Sequence, residues 1–517
     1  MEQVLPEGIS TQTMDRALAA FADVVGEQWV LNTDQDRDNY QDFYALNPSV
    51  HHASAAVAPA NTEEIQAILR IANEYKIPLW TISRGKNFAY GGPAPVMNGC
   101  IVLDLTRMKG IEFDAENGVV VVEPGVGFYD LYDYLDKEQL PYWLSVPGQS
   151  WGSVMGNTLE RGVGYTPYGD HSANYHGLEV VLANGEIIRT GMGAMGNSST
   201  WNLHPYGYGP GWDQMFSQSN FGVVTKMGLW LMPEPETVVS MGIQFDEPGD
   251  LGWAIDTFAP MRREGLIKHS PTVGNWLRYI ATRSMRSDWY DGPSPFPDEV
   301  ISRIRDEMGI GWWTTTINTY GRSEIARASA DIIKNTFSRR SSYSIRETVW
   351  NRGDRRPTSP FFGVPITLGM NNANWFGGRG AHIDFSPVLP QTGAAAMEQF
   401  RRTYELHNQY GIDYHPGFNL GERHLTNINA LMFDKDDEGM RNRADQLFRS
   451  LVADAASQGY GEYRSHITYM DLIAETFNYN NQGLSQLNSA VKDALDPNGI
   501  LSPGKSGIWP SSYRGDV

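Results

Sequence analysis

The stretch Arg379-Gly-Ala-His-Ile-Asp-Phe-Ser-Pro387 sets an imidazole, a carboxylate and a hydroxyl at alternate positions. As a strand, its period of two puts His382, Asp384 and Ser386 on one face and Ile383 and Phe385 on the other. Such a face suits either solvent at a sheet edge or the wall of an active site, where a carboxylate can orient an imidazole or move a proton. A second cluster, Arg84-Gly-Lys-Asn-Phe-Ala-Tyr-Gly-Gly92, offers two cations and a run of backbone N–H donors directly after an expected strand. It reads as a pyrophosphate cradle or as an ordinary turn. A third, Gly-Glu-Tyr463-Arg464-Ser-His466, sets a hydroxyl beside a guanidinium. That pair is either surface packing or an anion-binding device.

Two other motifs match a pattern without its context. Residues 191–196 fit G-x-G-x-x-G, but the Asn-Ser-Ser-Thr-Trp-Asn-Leu-His-Pro that follows does not read as the helix on whose N-terminus a pyrophosphate would rest. Residues 499–506 fit G-x-x-x-x-G-K-S, but no strand precedes them, Pro503 lies inside and no helix follows. Neither a Rossmann site nor a nucleotide-hydrolysing loop is expected. His171 and His176 lack a metal-ligand spacing, no H-E-x-x-H occurs, and no metal site is expected.

The elements that must position these residues read as mixed α+β. The chain has 517 residues, enough for two domains or three. Its net charge of −19 argues against nucleic acid and anionic membrane surfaces as partners. The single cysteine, Cys100, excludes an intramolecular disulfide and reads as a small apolar strand residue. The N-terminus has no secretory pattern and no apolar run is long enough to span a bilayer, so a soluble cytoplasmic protein is expected. An amphipathic helix and its lead-in are expected over 13–31. A further helix is expected from the Asn61 cap, with Ile65, Ile68, Leu69 and Ala72 inward. Strands follow near 79–83, 100–105, 110–114 and 119–123, then a helix at 128–137. A hairpin is expected across Ala-Asn-Gly, with arms at 177–182 and 186–190. The prolines of Met232-Pro-Glu-Pro-Glu236 mark a boundary. This gives a first segment 1–235, a second unit 236–459 and a tail 460–517 that lacks an apolar run of its own and must pack back on another part.

Several long stretches taken together resemble one family. They are residues 85–92, Trp-Gly-Ser-Val-Met-Gly-Asn-Thr-Leu-Glu-Arg-Gly-Val-Gly-Tyr at 151–165 continuing to His171, Phe-Ser-Gln-Ser-Asn-Phe-Gly-Val-Val-Thr-Lys at 216–226, residues 380–387, residues 459–466, and Asp-Pro-Asn-Gly-Ile-Leu-Ser-Pro-Gly-Lys-Ser-Gly-Ile-Trp at 496–509. In this order the chain resembles the flavoproteins typified by vanillyl-alcohol oxidase, eugenol oxidase and the flavin subunit of p-cresol methylhydroxylase, with bacterial 4-alkylphenol oxidases among them. The resemblance implies a two-domain, non-Rossmann FAD-binding fold of the p-cresol methylhydroxylase type, made of 1–235 and 460–517, with a substrate cap domain at 236–459. It implies FAD carried covalently on His382 through the flavin 8α carbon. It also implies cofactor contacts from Arg84, Gly85, Lys86, Asn87, Gly91 and Gly92, from Ser153, Asn157 and Asp170, and from Gly222, Val223 and Lys505. Tyr90, Tyr463 and Arg464 match the family's phenol clamp. A guanidinium and two hydroxyls around a phenol oxygen favour the phenolate, which can release hydride from its para-alkyl carbon and become a p-quinone methide.

The chain departs from that pattern in two places. The family's oxidases carry an aspartate near flavin N5 where this chain has Gly148. Asp384, two residues after His382, is expected to take its role, unless it bonds cap backbone or Arg379; Gln149 is the alternative neutral donor. The stretch between Gly196 and Tyr206 is short where vanillyl-alcohol oxidase has an octamer-forming insertion, so a homodimer is expected. The expected activity is oxidation of 4-alkylphenols such as 4-ethyl- or 4-propylphenol, giving a vinylic phenol or an alcohol, with O2 as acceptor and H2O2 formed. A dehydrogenase passing electrons to a cytochrome, a eugenol or vanillyl-alcohol oxidase, and a flavin-binding protein without turnover are the other readings.

Overall fold

The computed structural model describes residues 3–337 and 343–514. The first helix, Thr11–Val25, is shorter than its apolar pattern suggests. Ser10 caps it by accepting from the Thr13 N–H at 3.2 Å. Gly26, at φ +89°, ends it, and the lead-in becomes one short turn and the strand Val30–Leu31. Asn61 caps the helix Thr62–Tyr75, its side-chain oxygen accepting from the Glu64 N–H at 2.8 Å. Ile65, Ile68, Leu69 and Ala72 of that helix pack on Met14, Ala17 and Phe21 of the first. Both cover a four-stranded sheet ordered Val30–Leu31, Ala55–Val57, Ile101–Asp104, Leu79–Ile82. Cys100, expected within a strand, is buried just before the inner strand Ile101–Asp104.

A second, antiparallel sheet is ordered Ile111–Asp114, Val119–Val122, Val223–Trp230, Tyr175–Val181, Ile187–Arg189. Its last two strands are the hairpin arms. A large sheet uses only residues between 237 and 434, in the order Tyr343–Asn351, Thr237–Phe245, Trp313–Gly321, Thr272–Asn275, Pro416–Leu420, His424–Asp434, Gly380–Phe385. The helices Asp250–Arg263, Ser323–Phe337 and Gly393–Tyr410 pack their apolar sides on it. No helix among the described residues is long and apolar enough to cross a membrane. Both decoy motifs form only single tight turns, at Gly191–Ala194 and Lys505–Gly507.

The strand Gly380–Phe385 ends the large sheet, yet it is not solvated. Its Ala381, Ile383 and Phe385 pack against Leu447, Phe448 and Leu451 of the helix Glu438–Ser457. Its continuation is tied to the tail. The Ser386 N–H donates to both carboxylate oxygens of Glu462 at 2.8 and 2.9 Å, and the Val388 N–H donates to the Gly461 carbonyl at 2.9 Å. These bonds set Tyr463 and Arg464 beside the face that carries His382 and Asp384.

The tail packs back as its composition requires. The Leu79 N–H donates to Ile500 O and the Ser502 N–H to Leu79 O, both at 2.7 Å. Lys492 and Asp496 anchor this return from the helix Tyr479–Leu495; both are wholly buried, with Nζ 2.7 Å from Oδ2. Lys492 also donates to the carbonyls of Asn220 and Leu501, and Asp496 accepts from the N–H groups of Ile500 and Leu501. Lys492→Met would leave that carboxylate buried without its cation. It is expected to cost about 3–5 kcal/mol, read as an earlier first transition in chemical denaturation.

Candidate active site

The three sheets and the tail meet around one cavity of about 380 Å³. Its wall includes Gly85–Asn87, Ser153 and Asn157 of the helix Val154–Leu159 and its cap, Gly222 and Lys505. Gly85 has φ +61°, and a Cβ there would stand 2.7 Å from the Pro93 Cβ, so only glycine lets the loop turn so tightly. Lys505 Nζ pairs with Glu160 Oε1 at 2.5 Å, which fixes the ammonium on the wall. Tyr90, Tyr463, Arg464 and Asp384 line it too, as do Gln149 and Arg278.

The guanidinium of Arg464 lies 3.8 Å from the centroid of the Tyr90 ring. Its Nη2 donates to Asn87 Oδ1 at 3.3 Å. Its Nε–H is buried without an acceptor. No carboxylate pairs with it among the described residues; Asp384 and Glu160 act on it only at longer range. Burial pushes the Tyr90 hydroxyl well above its usual range, against the pull of Arg464, and Asp384 adds to the rise. Burial likewise raises Tyr463. Arg464 is itself raised by the two tyrosines and nearby carboxylates despite burial. All three therefore stay protonated donors at neutral pH. A phenol brought among them would be the group that ionises.

His382 and Asp384 share one face, with Nδ1 of the imidazole 3.1 Å from Oδ1 of the carboxylate. Burial pushes Asp384 upward, but His382, Arg464 and Arg278 together hold it below the ordinary carboxylate range. Glu462 behaves oppositely: burial drives it well above that range although the Ser386 N–H favours its anion. The His382 ring lies 5.4 Å from Tyr44, which leads through Phe88 to Trp151, an aromatic chain beside the cavity. His382 is buried and its Nε2 has no partner.

Thus Tyr90, Tyr463, Arg464, Asp384, Gln149, Gly85, Lys86, Asn87, Gly92, Ser153, Asn157, Gly222 and Lys505 all line the cavity. Five expected cofactor residues are not on its wall, His382 among them, which lies buried on the strand of Asp384. Arg84 turns away to pair with Asp130 at 2.8 Å, leaving the loop one cation rather than two. Asp170 caps the turn His171–Ala173 by accepting from the Ala173 N–H. Val223 is buried in a strand, paired with Val181. Gly91 faces Ile467, where a Cβ would stand 2.6 Å away. The alternatives for Asp384, a bond to cap backbone or to Arg379, are not made: Arg379 pairs with Asp436. Arg278 and Tyr165 also line the cavity and were not expected as site residues. Arg278 comes from a stretch that no motif marks, and Tyr165 lies within the 151–171 stretch but was not singled out there.

The residues fit FAD on this structure's own terms. Glycine-rich backbone and a fixed ammonium in the wall suit a pyrophosphate, and a buried imidazole nitrogen lacking a partner lies on the strand of Asp384. Comparison with known proteins agrees. Residues 53–191 match the FAD binding domain family, and residues 389–506 match the C-terminal domain of FAD linked oxidases. The chain is 35% identical over 514 residues to the 4-cresol dehydrogenase [hydroxylating] flavoprotein subunit of Pseudomonas putida, covering 98% of each. It superimposes on a 4-ethylphenol oxidase from Gulosibacter chungangensis, in its isoeugenol complex, with a TM-score of 0.95 and 36% identity, over 99% of this chain and 100% of that one. Against p-cresol methylhydroxylase with substrate bound the TM-score is 0.92 at 34% identity, over 98% and 99% of the two chains. The fold and site are those of a flavin-dependent oxidoreductase using FAD. The chain belongs to the vanillyl-alcohol oxidase and p-cresol methylhydroxylase flavoprotein family.

Proposed function

We propose that the chain oxidises para-substituted phenols, with 4-alkylphenols such as 4-ethyl- and 4-propylphenol as substrates and O2 as the electron acceptor. One observation carries this reading: Arg464 offers a buried, partnerless Nε–H beside Tyr90 and Tyr463 and has no carboxylate to neutralise it. A phenolate supplies that acceptor and that charge. The relatives named for 4-ethylphenol, 4-cresol and p-cresol chemistry support the same substrate class. Bound FAD supplies the hydride acceptor and passes the electrons on. The protein's part is to hold the phenol oxygen among three donors, so that negative charge on it drives hydride loss from the benzylic carbon. Asp384, held ionised, then accepts a proton from water as the water oxygen bonds that carbon of the quinone methide and the phenolate re-forms.

We further propose that His382 carries the FAD covalently, since its Nε2 is buried and unpaired while Asp384 occupies Nδ1. Acid precipitation of purified protein is expected to give a yellow pellet, with the flavin on the peptide containing His382. His382→Ala is expected to leave all flavin in the supernatant. Colour retained in that variant's pellet would refute the tether. Turnover of 4-ethylphenol with O2 is expected to exceed turnover with an artificial one-electron acceptor. The reverse order would assign the chain to the dehydrogenases. The short 197–205 stretch supports a homodimer.

A further inference from the structure

The cavity has a second cation that the phenol clamp does not use. Arg278 lies in the short helix Trp276–Ile280, which follows the strand Thr272–Asn275 without a break. Asn275 makes the turn, accepting from the Arg278 N–H at 3.1 Å and donating to Tyr414 O at 3.1 Å. The chain bends back over its own sheet, and the Arg278 side chain is laid across two glycines. Gly274 and Gly417 are register partners on adjacent strands. A Cβ at Gly274 would stand 2.6 Å from Arg278 Cδ, and one at Gly417 would stand 3.0 Å from its Cζ. Neither glycine has a left-handed backbone. Their missing side chains serve no turn; they clear the path of the guanidinium.

That path leads toward the reacting end of the cavity. Gly417 pairs with Ile428, and two residues along the same strand Ala430 pairs with Asp384. Arg278, Ile428 and Asp384 all line the cavity. With strands about 4.8 Å apart, a guanidinium above Gly417 stands roughly 10 Å of sheet from the strand of Asp384. The guanidinium has no hydrogen-bond or ion-pair partner among the described residues. Both guanidiniums act on the Asp384 carboxylate, Arg464 more strongly than Arg278. His415, the other titratable neighbour of Arg278, is held neutral by burial and by this guanidinium, and offers it no charge.

We propose that Arg278 is a specificity residue that binds a carboxylate at the end of the substrate's para side chain, making short-chain 4-hydroxyphenyl carboxylic acids substrates of this site. The assignment rests on the phenol-oxidase reading above, which puts the phenol oxygen at Arg464. The ring then extends past Asp384, and the end of its para chain passes over Ile428 to the second guanidinium. An arginine laid flat and without a partner suits a carboxylate, which it can hold through two parallel hydrogen bonds.

The test is anaerobic reduction of the holoenzyme's flavin by 3-(4-hydroxyphenyl)propanoate, by its methyl ester and by 4-propylphenol. Wild type is expected to be reduced by all three and to saturate at a lower concentration of the acid than of the ester. Arg278→Met should raise the half-saturating concentration of the acid about 10- to 100-fold, far more than that of 4-propylphenol. Arg278→Lys should recover part of the loss. Equal losses for acid and alkylphenol, or an acid no better than its ester in wild type, would overturn the assignment and leave the phenol-oxidase reading standing. Failure of 4-propylphenol itself to reduce the wild-type flavin would overturn that reading and this one with it. The ester comparison needs no variant and stands even if Arg278→Met does not fold.

Discussion

Arg464→Ala is expected to slow flavin reduction by 4-ethylphenol by about 10³-fold or more while leaving FAD attached. A free phenol has a pKa near about 10, so about one molecule in 10³ is ionised at pH 7. The guanidinium raises that fraction by supplying a positive charge and a buried, unpaired donor in the cavity wall. Its removal returns the phenol to its solution behaviour and also removes one preformed donor, a loss worth about 10²–10³ on its own in comparable sites. Tyr90 and Tyr463 cannot compensate, because burial keeps them protonated and neutral. Arg464→Lys should recover only part, since an ammonium keeps the charge but not the planar stack on Tyr90. Stopped-flow reduction under nitrogen reads both effects, and an unchanged flavin spectrum shows that the cofactor stays in place. A near-wild-type rate in Arg464→Ala would remove the clamp from the mechanism.

How much of this was legible in the sequence depends on the distance each feature spans. The helix at Phe128–Lys137 and the cap at Asn61 follow from local pattern, and the structure has both where expected. The alternation of His382, Asp384 and their apolar neighbours follows from a period of two, which survives any tertiary context that keeps the strand. The meeting of Tyr463 and Arg464 with that strand did not follow from local pattern. It depends on Glu462 bonding the Ser386 N–H and on the tail pairing with Leu79, contacts between distant parts of the chain. Only the family resemblance carried that information. The cation-rich loop misled in one respect for the same reason: Arg84 has its partner at Asp130, outside the loop, and turns from the cavity. Arg278 was invisible because its signal is a pair of glycines on separate strands that become neighbours only in the folded sheet.

Asp384→Asn is expected to lower the ratio of alcohol to alkene formed from 4-ethylphenol by about 10²-fold, the lower range for loss of a general base, with flavin reduction changed far less. Asparagine can still accept from His382 Nδ1, so the strand and the imidazole keep their arrangement. It cannot take the proton from water, and the quinone methide then loses its own proton to give 4-vinylphenol. The position of the base can be tested in the same background. Gly148 has no left-handed backbone, and a Cβ there would meet nothing nearer than the Tyr165 hydroxyl at 3.4 Å. Gly148→Asp is therefore sterically admissible. Added to Asp384→Asn, it should restore alcohol formation if all the chemistry needs is an ionised carboxylate on either wall of the cavity. Product analysis by chromatography reads the ratio directly. An unchanged ratio in Asp384→Asn would show that water is activated elsewhere. A lowered ratio that Gly148→Asp leaves unchanged would tie the step to the particular field of His382, Arg464 and Arg278 around Asp384.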